Sequence, residues 1–207
     1  MTEEEAKSSL DVPHGTLERL AAFVAYLVEQ NAHQNLVSRG SLEHVWARHI
    51  LDSAQLLRFA PNAQTWIDLG TGAGFPGLVA AALSPAAFTL VEARRLRVNF
   101  LLKGAEILGL SERVKVLLAK VEAVPPQRFD VISARAFAPL DKLLRLSAHL
   151  STPETIWILP KGRNAKSELD AARSSWQGEF RIEPSVTDAE AGIIVARGVK
   201  PKGRSGR

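Results

Sequence analysis

Three runs that follow one another in the chain decide the fold: Trp66-Ile67-Asp68-Leu69, then Gly70-Thr71-Gly72-Ala73-Gly74-Phe75-Pro76-Gly77, then Leu78-Val79-Ala80-Ala81-Ala82-Leu83. They read as strand, glycine turn and helix. Glycine at alternate places lets the main chain bend sharply and lets a ligand approach it, because no Cβ stands in the way. The next apolar run, Phe88-Thr89-Leu90-Val91, closes on Glu92. A carboxylate at that offset is placed to hold the two hydroxyls of a ribose. These residues point to an adenosine-containing cofactor.

Outward from this segment, strand and helix alternate. Strands are expected at 65–69, 88–92, 114–118, 130–135, 155–159, 180–184 and 192–197, and helices at 77–83, 96–108, 140–150 and 165–174. Such alternation means a largely parallel sheet with helices on both faces. The last two strands have no long helix between them and should pair antiparallel at one edge. Upstream, Leu17, Leu20, Val24, Leu27 and Val28 share a helical face. A second helix is expected after an N-cap at Ser41, with Leu42, Val45, Trp46, His49, Ile50 and Leu57 on its apolar side. The chain thus divides into a helical extension (1–60), an α/β domain (61–197) and a basic tail (198–207).

Composition narrows the function. The 207 residues contain no cysteine, which removes disulfides, thiolate metal sites and cysteine nucleophiles; no metal is expected. The start carries Glu3, Glu4 and Glu5 and no signal-peptide core, and the longest apolar run, 20–28, is too short to span a bilayer. A cytoplasmic monomer is expected, with no membrane partner. The net charge is only +4, but Arg197, Lys200, Lys202, Arg204 and Arg207 crowd the end without an acid. Such an end either meets a polyanion or is a solvated tail.

Ligands of an open α/β sheet sit outside the carboxyl ends of the strands. That rule selects 68–74, Glu92, 120–122, 133–137 and 160–163. Asp68 would disfavour a pyrophosphate but suits the cationic methionine part of S-adenosylmethionine. Pro76 removes a backbone donor from the helix start that would cradle phosphate. The only tyrosine, Tyr26, has no lysine four places on, so the tyrosine–lysine pair of short-chain dehydrogenases is missing. S-adenosylmethionine fits better than a dinucleotide. Seven strands with the last two paired also match the class I S-adenosylmethionine-dependent methyltransferase fold, a Rossmann-like sheet. Candidate cofactor contacts are Asp68, Gly70, Gly72, Gly74, Phe75, Glu92, Val121 and Glu122, with Val121 and Glu122 near adenine.

The acceptor is narrowed by what is missing. Pyrimidine C5 chemistry commonly needs a cysteine. Exocyclic amines usually go with an Asn/Asp-Pro-Pro-aromatic run, where this chain has Ser133-Ala134-Arg135-Ala136-Phe137. None of the five histidines falls in the strand-end clusters, although His49 can approach from the N-terminal helices. A ring nitrogen with a free lone pair, such as guanine N7, needs no base. A small-molecule methyltransferase and a non-catalytic cofactor-binding protein stay open beside this.

Asn35-Leu36-Val37-Ser38, Arg48-His49-Ile50-Leu51-Asp52-Ser53, the glycine turn through Pro76-Gly77, Ser133-Ala134-Arg135-Ala136-Phe137-Ala138 and Pro160-Lys161-Gly162 together resemble the ribosomal RNA small-subunit methyltransferase G family (RsmG, also called GidB). The likeness runs in order from about residue 20 to residue 197. It implies methyl transfer from S-adenosylmethionine to N7 of one guanine of 16S rRNA, near the decoding centre, in an assembled or assembling small subunit. It also implies cofactor contacts at Gly70, Phe75, Val121, Glu122 and Arg135. Arg135 lies beside the expected transfer point as the catalytic candidate, clamping a phosphate or the guanine, or else holding an acid of the cleft. Lys161 and Arg163 flank Gly162 as candidates for RNA backbone. Arg48 is a further RNA candidate or pairs with Asp52; Asn35 borders the target pocket or caps a turn.

Overall fold

The computed structural model describes residues 1–203. From the start, the chain forms α1 (Glu3–Ser8), α2 (His14–Gln34), α3 (Arg39–Leu42), a π-helical turn (Trp46–Leu51), α4 (Asp52–Ala54) and a 3-10 turn (Gln55–Phe59). The single second helix expected after Ser41 is therefore broken. The N-cap is Ser38, whose side chain accepts from the Ser41 amide, and the helix it starts ends at Leu42. The helix α1 is an addition to the expected elements. Thr2 and Glu5 form a reciprocal capping box at its start. Its Glu3 carboxylate then accepts from the amides of Trp46 (2.9 Å) and Ala47 (3.2 Å), which caps the π-helical turn across a long stretch of chain.

The sheet contains β1 (Thr65–Leu69), β2 (Ala87–Glu92), β3 (Val114–Leu118), β4 (Val131–Ser133), β5 (Ile156–Gly162), β6 (Trp176–Pro184) and β7 (Gly192–Pro201), in the order β3-β2-β1-β4-β5-β7-β6. The first five strands are parallel, and β7 lies antiparallel between β5 and β6. Helices α5 (Gly77–Ala82), α6 (Arg95–Ile107), α7 (Leu140–Ser147) and α8 (Ala165–Ala172) connect the strands. The strand β7 runs to Pro201, so residues 198–201, expected as tail, belong to the sheet. Arg204 and Arg207 lie outside the described residues.

Side chains alternate across each strand. From β1, Trp66 joins a core with Leu20, Phe23, Ile50, Leu78 and Phe100 under the N-terminal helices. Ile67 and Leu69 join the opposite core with Ile132, Leu143, Trp157 and Leu169. The helical extension is thus one wall of the main core. Phe23 is fully buried, whereas Val28, expected on the buried face of α2, is exposed. Strand order reverses at β1 and β4, so their carboxyl ends open the crevice where this class of sheet binds ligands.

Candidate active site

Two clefts open at that crevice. The first, about 440 Å³, is lined by Gly70, Glu92, Lys120, Val121, Glu122 and Phe137. The second, about 530 Å³, is lined by Arg48, His49, Asp52, Arg135, Lys161 and Asp188. Ala136, Phe137 and Ala138 border both clefts. Ala136 sits in the left-handed region (φ 52°), where the chain turns after β4.

The first cleft is built on the glycine turn. A Cβ on Gly70 would overlap the Phe137 ring, so only glycine admits this closure. The Glu92 carboxylate is set by two amides: Gly72 N–H donates to Oε2 (3.2 Å) and Arg94 N–H to Oε1 (2.9 Å). Arg97 pairs with Oε2 at 3.9 Å, and the carboxylate keeps lone pairs that can accept from hydroxyls. Gly72 therefore positions the carboxylate and does not line the cleft itself.

Asp68, Gly74 and Phe75 line neither cleft, and their contacts in the structure are with the protein itself. Asp68 is fully buried on the α5 side of β1. The Trp66 indole donates to Ser133 Oγ (2.8 Å), Ser133 donates to Asp68 Oδ1 (2.6 Å), and Gly77 N–H donates to Asp68 Oδ2 (3.1 Å). The carboxylate anchors the start of α5 from beneath. Burial raises its pKa to about 6 against the pull of these hydrogen bonds. Gly74 packs against Leu78. The Phe75 ring lies edge-on to Phe23 and stacks on His49 at 4.7 Å, which ties the turn to the N-terminal helices.

Arg135 lines the second cleft and not the first. Its guanidinium donates to Arg48 O (3.1 Å) and Asp52 Oδ2 (3.2 Å), meets His49 Nδ1 at 3.0 Å, and lies over the Phe75 ring. A guanidinium only donates. His49 Nδ1 is therefore the acceptor, and the neutral ring carries its proton on Nε2. Burial, with Arg135 and Arg48 nearby, depresses the His49 pKa to about 3, so the ring is neutral near neutral pH. Its Nε2 is buried without a partner among the described residues. Neither ring nitrogen offers a lone pair to a substrate.

The other candidates fall differently. Lys161 lines the second cleft but is nearly enclosed: it donates to Ala138 O (2.6 Å) and pairs with Glu168 at 2.9 Å. It braces the wall after β4. Arg163 lies outside both clefts and pairs with Glu190. Asn35 is the left-handed C-cap of α2 (φ 45°, ψ 60°) and lines neither cleft. Arg48 does line the second cleft, and its partner is Asp188 (3.5 Å), not Asp52. Asp52 accepts from Gln55 (2.9 Å) and Thr187 (2.8 Å) as well as Arg135.

Sequence reasoning misses the 185–191 connection between β6 and β7, which supplies Ser185, Thr187 and Asp188 to the second cleft. Its one signal is a polar run between two apolar strands. Nothing in its spacing ties it to Gln55, whose side chain bonds Ser185 Oγ (3.0 Å) and the Val186 amide (2.9 Å).

Residues 16–194 match GidB, rRNA small subunit methyltransferase G. The chain belongs to this family. It is 50% identical to the ribosomal RNA small subunit methyltransferase G of Zymomonas mobilis over 98% of this chain and 96% of that one. The corresponding figures for the Rhizorhabdus wittichii protein of the same name are 49%, 99% and 96%. The fold is shared with an O-methyltransferase from Bacillus cereus solved in complex with SAH (TM-score 0.61, 16% identity, 94% of this chain and 96% of that one). By family and fold this member is an S-adenosylmethionine-dependent methyltransferase. The residues of the first cleft fit that group: Glu92 for the ribose hydroxyls, the apolar Val121 for adenine, and the open backbone at Gly70 beside Phe137. Among the described residues no helix is long and apolar enough to cross a membrane.

Proposed function

We propose that this enzyme methylates N7 of a guanine of 16S rRNA within the small ribosomal subunit, in the cytoplasm. One observation carries the choice of acceptor atom: the imidazole of the acceptor cleft has no free lone pair. His49 Nδ1 is filled by Arg135, and Nε2 holds the proton. Asp52 and Glu168 are likewise taken up by donors from several elements. Chemistry that must remove a proton from the acceptor has no base among these three, and the remaining carboxylate, Asp188, is paired with Arg48. Guanine N7 brings its own lone pair and loses no proton.

When bound, S-adenosylmethionine supplies an electrophilic methyl on a sulfonium. The protein's part is positioning. Glu92 and Val121 hold the nucleoside end, and Phe137 separates the two clefts so that donor and acceptor meet at the 136–138 wall. Arg135, held by His49, Asp52 and the Arg48 carbonyl, presents fixed positive charge to the phosphate or to guanine O6. N7 of a paired guanine lies in the deep, narrow groove of an A-form helix, so the target must be looped out or swung from its stack. An assembled or assembling particle therefore makes a better substrate than a short stem-loop. The relatives carry the small-subunit rRNA in their names, which supports that substrate.

The decisive experiment maps methylated bases in small subunits lacking the modification after incubation with protein and S-adenosylmethionine. A single 7-methylguanosine in 16S rRNA is expected. Methylation of another base or atom, or of a small molecule only, overturns the proposal.

A further inference from the structure

We propose that Asp188 recognises the guanine edge remote from N7, accepting hydrogen bonds from N1–H and the 2-amino group, and so determines base specificity. This rests on the function proposed above. N7 faces the methyl donor, so it must point at the 136–138 wall common to both clefts. The rest of the purine then lies within the acceptor cleft, whose lining includes Asp188 of the β6–β7 connection. The edge of guanine remote from N7 presents donors and needs an acceptor.

The acceptors available are few. Asp52 receives Gln55, Thr187 and Arg135. Glu168 receives the Leu140 amide at 2.7 Å and Lys161 at 2.9 Å. Ser185 Oγ receives Gln55 and the Thr187 amide. Arg48, Arg135 and Lys161 can only donate. Asp188 differs from all of these. Its Oδ1 accepts from the Glu190 amide at 3.0 Å, which fixes the side chain, while Oδ2 has one partner among the described residues, Arg48, at 3.5 Å. The side chain is 29% exposed, so a ligand can reach it in a partly dry setting. Adenine would set the lone pair of its N1 against this carboxylate, which builds rejection into the same contact.

The charge balance strengthens the assignment. The N7 lone pair forms the new N–C bond as the methyl–sulfur bond breaks and its electron pair stays on sulfur. No proton moves, and the positive charge passes from sulfur to the purine. A carboxylate bonded to N1–H and the 2-amino group stabilises that developing cation, so Asp188 acts on kcat as well as on KM.

The test compares small subunits carrying guanosine or inosine at the target, since inosine lacks only the 2-amino group. The native enzyme should prefer guanosine by about 10- to 100-fold in kcat/KM, the range for a hydrogen bond to a charged group. Asp188→Asn should lower kcat/KM on guanosine by a similar factor, with a fall in kcat, and its preference over inosine should collapse toward unity. Its affinity for S-adenosylmethionine, measured by calorimetry, should be unchanged. An Asp188→Asn enzyme that keeps the native preference, or that loses cofactor affinity in parallel with activity, overturns the inference. The inosine comparison needs no variant: a native enzyme that treats the two substrates alike also overturns it. A particle with no 7-methylguanosine at all overturns the proposed function and this inference with it.

Discussion

Two buried groups, Asp68 and His49, pull stability in opposite directions as pH changes. Asp68 titrates near 6 in the fold against 3.8 for a free carboxyl, so between those values the folded state binds more protons. Its contribution is therefore greatest at low pH and is lost as pH rises toward 6. His49 titrates near 3 in the fold against 6.5 when free, so there the unfolded state binds more protons. Its contribution is full above about 6.5 and is lost as pH falls toward 3. Relative to native protein, Asp68→Asn should gain thermal stability as pH rises from about 3.8 to about 6, the interval over which the buried carboxyl ionises at a cost to the fold. His49→Gln should show the reverse trend, gaining on native protein as pH falls. Melting curves taken between about pH 3 and pH 6.5 check both. Arg135→Lys keeps the charge but cannot reach Asp52, His49 and the Arg48 carbonyl with one planar fork. It should lower kcat by about 100-fold, as removal of a fixed transition-state donor does. Single-turnover rates and cofactor titration together check this, since cofactor affinity should hold.

At the level of elements, the strands and the glycine turn are legible in the sequence because period-two apolar runs and glycine spacing are local signals. The same is true of Glu92, which ends a strand. The anchoring role of Asp68 is not legible. Whether a carboxylate faces a ligand or the underside of a helix depends on which face of β1 the next helix covers. The partners of two cationic candidates are hidden from the sequence for a related reason. Lys161 and Arg163 read as open positive charge, yet each has an acid brought to it by the fold, Glu168 from α8 and Glu190 from the β6–β7 connection. Helix α1 acts through Glu3, whose carboxylate holds the amides of Trp46 and Ala47. Glu3→Ala should cost about 1 kcal/mol, the usual effect of losing such a cap. The measurement is a denaturant midpoint shift, and no shift would place the cap outside the folded-state energetics.

Across the whole molecule, the first cleft is made by the parallel half of the sheet, while the second also needs the N-terminal helices and the β6–β7 connection. That division explains why the contribution of the β6–β7 connection to the second cleft is not visible in the sequence. Phosphate contacts should supply much of the affinity for the ribosomal particle, so binding should weaken steeply with salt, whereas S-adenosylmethionine binding should hardly respond. Filter binding at two ionic strengths beside calorimetry at the same two checks this. Equal salt sensitivity of both ligands would contradict it. The bonds from Asp52 to Thr187 and from Gln55 to Ser185 join partners 135 and 130 positions apart. Contacts of such separation form late, since a long loop must close first. During synthesis, a nascent chain whose β6–β7 hairpin has not yet emerged has the parallel strands of the first cleft but lacks one wall of the second. The second cleft is thus complete only once the β6–β7 hairpin has folded back onto the N-terminal helices.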